Sequence, residues 1–134
     1  MCSSDLESHD DVAASLNSEE RGDHYRLPEA IFRGHADSWY SRKRSTLGAI
    51  LVFTAPGIPM IFQGQEFLEW GSWSDNTPLD WQKKTTFAGI WDLYQALIRL
   101  RRNWFNNTRG LQGQHVNVFH TNNTDKVKIG RAHV

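Results

Sequence analysis

The spacing of apolar positions along this chain changes several times, and each change marks an element. Tyr40, Leu47, Ile50, Leu51 and Thr54, with the alkyl stem of Lys43, recur at steps of three and four residues. That spacing predicts a helix with this stripe as its apolar face, opened by Asp37 or Ser38 and running to about Phe53. Pro56 and Gly57 end it, because proline supplies no helical N–H and glycine accepts backbone angles that other residues refuse. Residues 58–62 are apolar without alternation, which predicts a strand covered on both faces, as in a parallel sheet wrapped by helices. Gln63, Gly64, Gln65 and Glu66 follow at its C-terminal end, where α/β folds meet their ligands. A second helix is predicted from Thr85 or Thr86, with Phe87, Ile90, Trp91, Tyr94, Leu97, Ile98 and Arg101 on one face. Arg99, Arg101 and Arg102 lie in its last turns, where cations suit the helix dipole.

The remaining stretches read differently. Residues 12–28 are polar, with Asn17, Ser18, Gly22 and Asp23, and predict a long surface loop with a helical turn near 18–22. Residues 68–81 form an aromatic-rich loop with Trp70, Trp73 and Trp81. Beyond Asn106, Asn and Gly residues surround an alternating segment, 115–120, which predicts an antiparallel strand with Val116, Val118 and His120 on one face. The fold class expected is therefore α/β over residues 7–105, followed by the start of an antiparallel β domain over 106–128.

Composition narrows the function. Fifteen basic and fifteen acidic residues give no net charge, so steering toward nucleic acid has little support. The clusters Arg42-Lys-Arg44 and Arg99 to Arg102 read as solvated helix faces. The apolar run 47–62 is broken by Pro56, Gly57 and Pro59 and is too short to span a membrane as a helix. The two ends read as something else again. Back-translated as ATC GGA AGA GCA CAC GTC, residues 129–134 have a reverse complement that encodes Asp-Val-Cys-Ser-Ser-Asp, and a GTG start within it yields Met1-Cys-Ser-Ser-Asp5. Residues 1–6 and 129–134 thus look like translated sequencing-adapter DNA and are set aside from fold reasoning. The only cysteine, Cys2, goes with them, so no disulfide, zinc cluster or catalytic thiol is expected.

Residues that could carry chemistry cluster near both ends of the apolar centre. Glu7-Ser-His-Asp-Asp11 is an acidic, His-bearing group, and the adjacent pair His9 and Asp10 can reach one pocket from a strand's frayed end. Neither that pair nor His115 with His120 has the spacing of a zinc site, and no metal is expected. His24 and His35 read as structural or solvated. A serine-nucleophile motif and a phosphate-cradling glycine loop are both missing. On pattern alone, His9 and Asp10 read equally well as a hydrogen-bonded strand-end pair or as a functional one.

Taken together, Ser8-His-Asp-Asp11, the long helix, Pro56-Gly-Ile-Pro-Met-Ile-Phe-Gln-Gly-Gln-Glu-Phe67, Pro78-Leu-Asp-Trp81 and Leu97-Ile-Arg-Leu-Arg-Arg102 resemble the last quarter of the catalytic barrel of the α-amylase superfamily of glycoside hydrolases. The resemblance is strongest to glycogen branching-enzyme-like members, whose seventh strand ends in Ser-His-Asp-Glu and whose eighth runs into Gly-x-Glu-Phe. Two departures stand out: Asp11 occupies the usual place of Glu, and the loop 12–26 is longer than in the group. The resemblance implies a partial (β/α)8 TIM barrel holding the end of strand seven, helix seven, strand eight and helix eight. It implies a parent enzyme, cytoplasmic and without a cofactor, that acts on α-1,4-glucan with retention. Asp10 would stabilise the transition state and His9 would bind the sugar, with Asp11, Gln65 and Glu66 as further substrate-binding candidates. The nucleophile and the acid/base would come from the fourth and fifth strands, so the chain alone would be inactive. Two alternatives remain: a fragment of an α-amylase-type hydrolase, or a non-catalytic starch- or glycogen-binding module using Trp70, Trp73 and Trp81 as stacking platforms.

Overall fold

A computed structural model describes residues 3–13, 24–113 and 115–133. Strand β1 (Ser3–Ser4) is followed by a helical turn, α1 (His9–Val12), a short helix, α2 (Leu27–Ile31), and the long helix α3 (Trp39–Thr54). Strand β2 (Ile58–Pro59) leads to a 3-10 turn at Gln65–Phe67, then to α4 (Gln82–Thr86) and α5 (Ala88–Arg101). A second 3-10 turn, Arg109–Gln112, precedes the hairpin of β3 (His115–Asn122) and β4 (Val127–His133). β1 and β2 run parallel, with Ser3 opposite Ile58 and Ser4 opposite Pro59. The residues set aside as adapter-coded therefore take part in the fold: Leu6 also packs so closely on α3 that a Cβ at Gly48 would lie 2.9 Å from its Cδ1.

The boundaries of α3 follow from its caps. Ser38 Oγ accepts from the Ser41 N–H at 3.2 Å, and the helix closes with the Ala55 N–H donating to Leu51 O at 2.9 Å before Pro56 stops it. Arg101, at the far end of α5, donates to Ala55 O at 2.7 Å and to the carbonyl of Gly57, whose φ is +120°. One guanidinium fork thus satisfies carbonyls left over at the helix end and in the turn, and fixes α5 across α3.

The face that α3 buries is not the expected one. Ser41, Ser45, Ala49, Val52 and Phe53 point inward, while Tyr40, Leu47, Ile50 and Leu51 are exposed. Small residues at four-residue steps let the helix approach Leu6 and α5 closely, and only Phe53 reaches deep. Its ring meets Tyr94 edge-on at 6.0 Å in a core of Ala49, Phe53, Leu68, Ile90, Tyr94 and Leu97, with Trp70, Phe87 and Leu93 packed against it. Burial of each large side chain there is worth about 1.5–3 kcal/mol.

Three other expectations change. The strand expected over 58–62 pairs only at Ile58–Pro59, because β1 offers a partner two residues long and Pro59 has no N–H to give; Ile58, Met60 and Ile61 lie exposed rather than covered on both faces. The second helix begins later than Thr85 or Thr86: Phe87, with φ −113° and ψ 40°, separates the short α4 from α5, donating its N–H to Lys83 O at 2.7 Å and setting its ring against Trp70 at 5.9 Å. In β3 a register shift between Val118 and His120 resets the alternation, so His120 does not share a face with Val118 as expected. Among the described residues, no helix is long and apolar enough to cross a membrane.

Candidate functional site

His9 and Asp10 open α1 in a helical turn rather than ending a strand. Ser8 organises the turn: its carbonyl accepts from the N–H groups of Asp11 and Val12, both at 3.2 Å, and its Oγ donates to Asp11 Oδ2 at 2.6 Å. Asp11 is thereby engaged by its own turn, while its carbonyl lies 3.0 Å from His24 Nδ1. Val12, expected to begin a surface loop, is buried.

Beside this turn, three stretches are laced together. The Trp73 N–H donates to Val12 O at 2.8 Å, Ser72 Oγ donates to His24 O at 2.9 Å, and the Arg26 N–H donates to Gly71 O at 2.8 Å. The Arg26 side chain, only 2% exposed, continues inward. Its Nη1 donates to Gln63 O at 2.7 Å, and its guanidinium carbon sits 5.0 Å from the centre of the Phe62 ring. This lacing brings Trp73 to the turn that carries Asp11, with its indole edge-on to Phe62 at 5.9 Å.

Glu7 lies beneath Arg26 and is 3% exposed. Its Oε1 accepts from the Leu27 N–H at 2.7 Å, whereas Oε2 is 3.7 Å from Arg26 Nη1 and has no hydrogen-bond partner. Burial pushes the carboxyl up to about 7, and the opposing pull of the Leu27 amide and of Arg26 does not cancel it. Burial likewise lowers the Arg26 guanidinium, against the raising influence of Glu7, Glu69 and Glu66. Tyr94 is pushed up by burial first and then by Glu7 and Glu66. Glu7, Glu66 and Glu69 thus share a buried polar region with Arg26.

The remaining candidates divide. Gln65 is buried with Oε1 accepting from the Phe62 N–H at 3.2 Å, so it braces its own turn. Glu66 lines a cavity of about 370 Å³ with Gln63, Trp91, Tyr94 and Gln95, and its Oε2 is buried without a partner. Glu69 holds the neighbouring loop: it forms an ion pair with Lys83 and accepts from the Asp80 N–H at 2.8 Å. Of the three tryptophans, Trp70 has Lys83 Nζ 3.6 Å from its ring centre and Phe87 at its side, which leaves little face for a ligand. Trp81 is 60% exposed and tilts on Phe67 at 5.1 Å.

Arg26 and Glu69 were not singled out by the sequence, and Glu7 was noted only as the first member of the acidic group 7–11. Arg26 sits in a stretch that reads as surface loop, and nothing in its spacing from Glu7 announces a buried pair. Among the described residues, no three His, Cys, Asp or Glu side chains are grouped so as to hold a metal ion. Comparison with protein-family models, with curated proteins and with solved structures finds no match to this chain.

Proposed function

We propose that the chain is the closing part of the (β/α)8 catalytic barrel of an α-amylase-superfamily glycoside hydrolase, nearest to the glycogen branching-enzyme-like members. The observation that carries the reading is the unit in which helix α3 is followed by β2 and then by the Gln65–Phe67 turn. β2 leads at its C-terminal end into the Gln65–Phe67 turn, and residues 71–73, laced to Val12, His24 and Arg26, lie beside the His9–Val12 turn. Ligand sites in α/β barrels lie at that end. The exposed faces of β2 and α3 support the reading too, because a strand of a parallel sheet is stable when further strands and helices cover it.

On this reading the parent enzyme cleaves α-1,4-glucan with retention and passes the glucosyl-enzyme intermediate to a sugar hydroxyl, as branching requires, or to water. Asp10 accepts from ring hydroxyls as oxocarbenium-like charge develops, and His9 binds the same sugar. Bonds that tighten only in the transition state contribute several kcal/mol to such reactions. The nucleophile and the acid/base, about 5 Å apart in retaining enzymes, belong to strands outside this chain.

The test begins with the coding DNA around this segment, recovered by outward amplification and long-read sequencing. A frame continuing upstream into strand-end motifs that carry an Asp and a Glu is expected. In that enzyme Asp10→Asn lowers glucan turnover by on the order of a hundredfold or more. An Asp10→Asn enzyme with unchanged turnover sinks the catalytic reading. Retention of the isolated chain on a glucan gel that disappears in Trp73→Ala supports the binding-module reading instead.

A further inference from the structure

The first two turns of α3 and of α5 border a cavity of about 480 Å³ that takes in no residue of the His9–Val12 turn or of the Gln65–Phe67 turn. We propose that this cavity binds a small soluble phosphomonoester, its phosphate held by Arg42 and Lys43 and its apolar or ring-shaped body lying against Trp39 and Phe87.

The segment Arg42-Lys-Arg44 reads in the sequence as one solvated cluster, but its three side chains separate in the structure. Arg44 lies on the Tyr40 ring, with its guanidinium carbon 4.3 Å from the ring centre, whereas Arg42 and Lys43 line the cavity. Neither of these two forms an ion pair among the described residues, and no Asp or Glu among the described residues lines the cavity with them. Arg42 Nε is buried without a hydrogen-bond partner. A buried N–H left unpaired is costly, and an acceptor brought by a ligand removes that cost.

Charge and walls together select the ligand. A phosphomonoester carries close to two negative charges at neutral pH, which matches one guanidinium and one ammonium. The forked N–H groups of arginine suit phosphate oxygens, and lysine adds a compact point charge. Both helices begin at the cavity, so their dipoles add a field of the same sign. From α5, Phe87, Ile90 and Leu93 supply an apolar wall, while Trp39, 66% exposed at the start of α3, offers an open ring. The volume suits a free small molecule, whose sites measure roughly 300–1,000 Å³.

Phenyl phosphate, titrated at neutral pH into the nitrogen-15-labelled full chain, tests the assignment. Saturable amide shifts are expected at Arg42, Lys43, Thr46 and Gly89, with a dissociation constant below about 1 mM. Inorganic phosphate should bind at least about fivefold more weakly, because it leaves the apolar wall unused. Arg42→Gln and Lys43→Gln should each weaken binding about tenfold, and Arg44→Gln by less than about twofold. Gly89→Asp guards against a variant that merely fails to fold. Gly89 lines the cavity, a Cβ there meets no atom within 4 Å, and a carboxylate in the first turn of α5 suits the helix dipole. That carboxylate repels the phosphate, so binding should fall about tenfold or more while the urea midpoint holds or rises. The proposal is overturned by an absence of saturable shifts, by equal affinity for inorganic phosphate, or by an affinity that Arg42→Gln, Lys43→Gln and Gly89→Asp leave unchanged. Capture of the chain by phosphatidic-acid vesicles without binding of phenyl phosphate overturns it as well. Glucan activity enters none of these measurements, so the phosphate site and the enzyme reading fail separately.

Discussion

Helices α3 and α5 lie side by side and treat their apolar residues in opposite ways. α5 buries Ile90, Tyr94 and Leu97, its own apolar face. α3 buries Ser41, Ser45 and Ala49 before it reaches Val52 and Phe53, and turns Leu47 and Leu51 outward at 65% and 66% exposure. That face of α5 finds its partners among the described residues, while Ile98 and Leu100 stay exposed at 37% and 38%. α3 is covered on one side only, and an apolar stripe left in water along a helix marks a surface made for contact. In the proposed barrel, that stripe would be covered by the barrel's other elements.

The comparison can be broken most severely where the two helices meet. Phe53 and Tyr94 stand edge-on at the centre of the shared core. Phe53→Ala removes a buried ring from α3's inward face and is expected to cost about 3–5 kcal/mol, read as a lower urea midpoint with unchanged slope. A loss below about 1 kcal/mol would mean that α3 does not rest on this face.

A smaller effect comes from filling the close approach. Ala49 is fully buried against the core, so Ala49→Leu must push α3 away from its neighbours. The expected cost is about 1–3 kcal/mol. Stabilisation by the added side chain would show an unfilled space where the helices are taken to touch.

How much of this was legible depends on the kind of signal. The ends of α3 were readable, because Ser38 and Pro56 act on their immediate neighbours. Most of the inward face of α5 was readable as well, because Ile90, Tyr94 and Leu97 repeat at the helical period, but Ile98, expected on the same face, is 37% exposed. The inward face of α3 was not: large apolar residues on one side and small ones on the other give two candidate faces, and periodicity favours the larger. The break at Phe87 carries no Pro and no cap, and arises from packing on Trp70. At the candidate site, His9 and Asp10 were put forward through their neighbours in sequence. Glu7 and Arg26 are 19 residues apart, from Glu7 to Arg26 in the chain, and only folding brings them within 3.7 Å.

The smallest expected effect sharpens the comparison most. Leu51→Glu places a charge on the outward stripe of α3, where the side chain is already in water. In the isolated chain it should change stability by no more than about 0.5 kcal/mol, since no core contact is lost. In an enzyme holding the proposed whole barrel, where the stripe would be covered, the same substitution would bury an unpaired carboxylate and should destabilise by several kcal/mol, about as much as a broken buried pair. Denaturant unfolding of both proteins, each with and without the substitution, separates the cases. A neutral result in both would make α3's outward face ordinary surface and remove one support for the barrel reading. A large loss in the isolated chain would place Leu51 inside, and the contrast between the two helices would disappear.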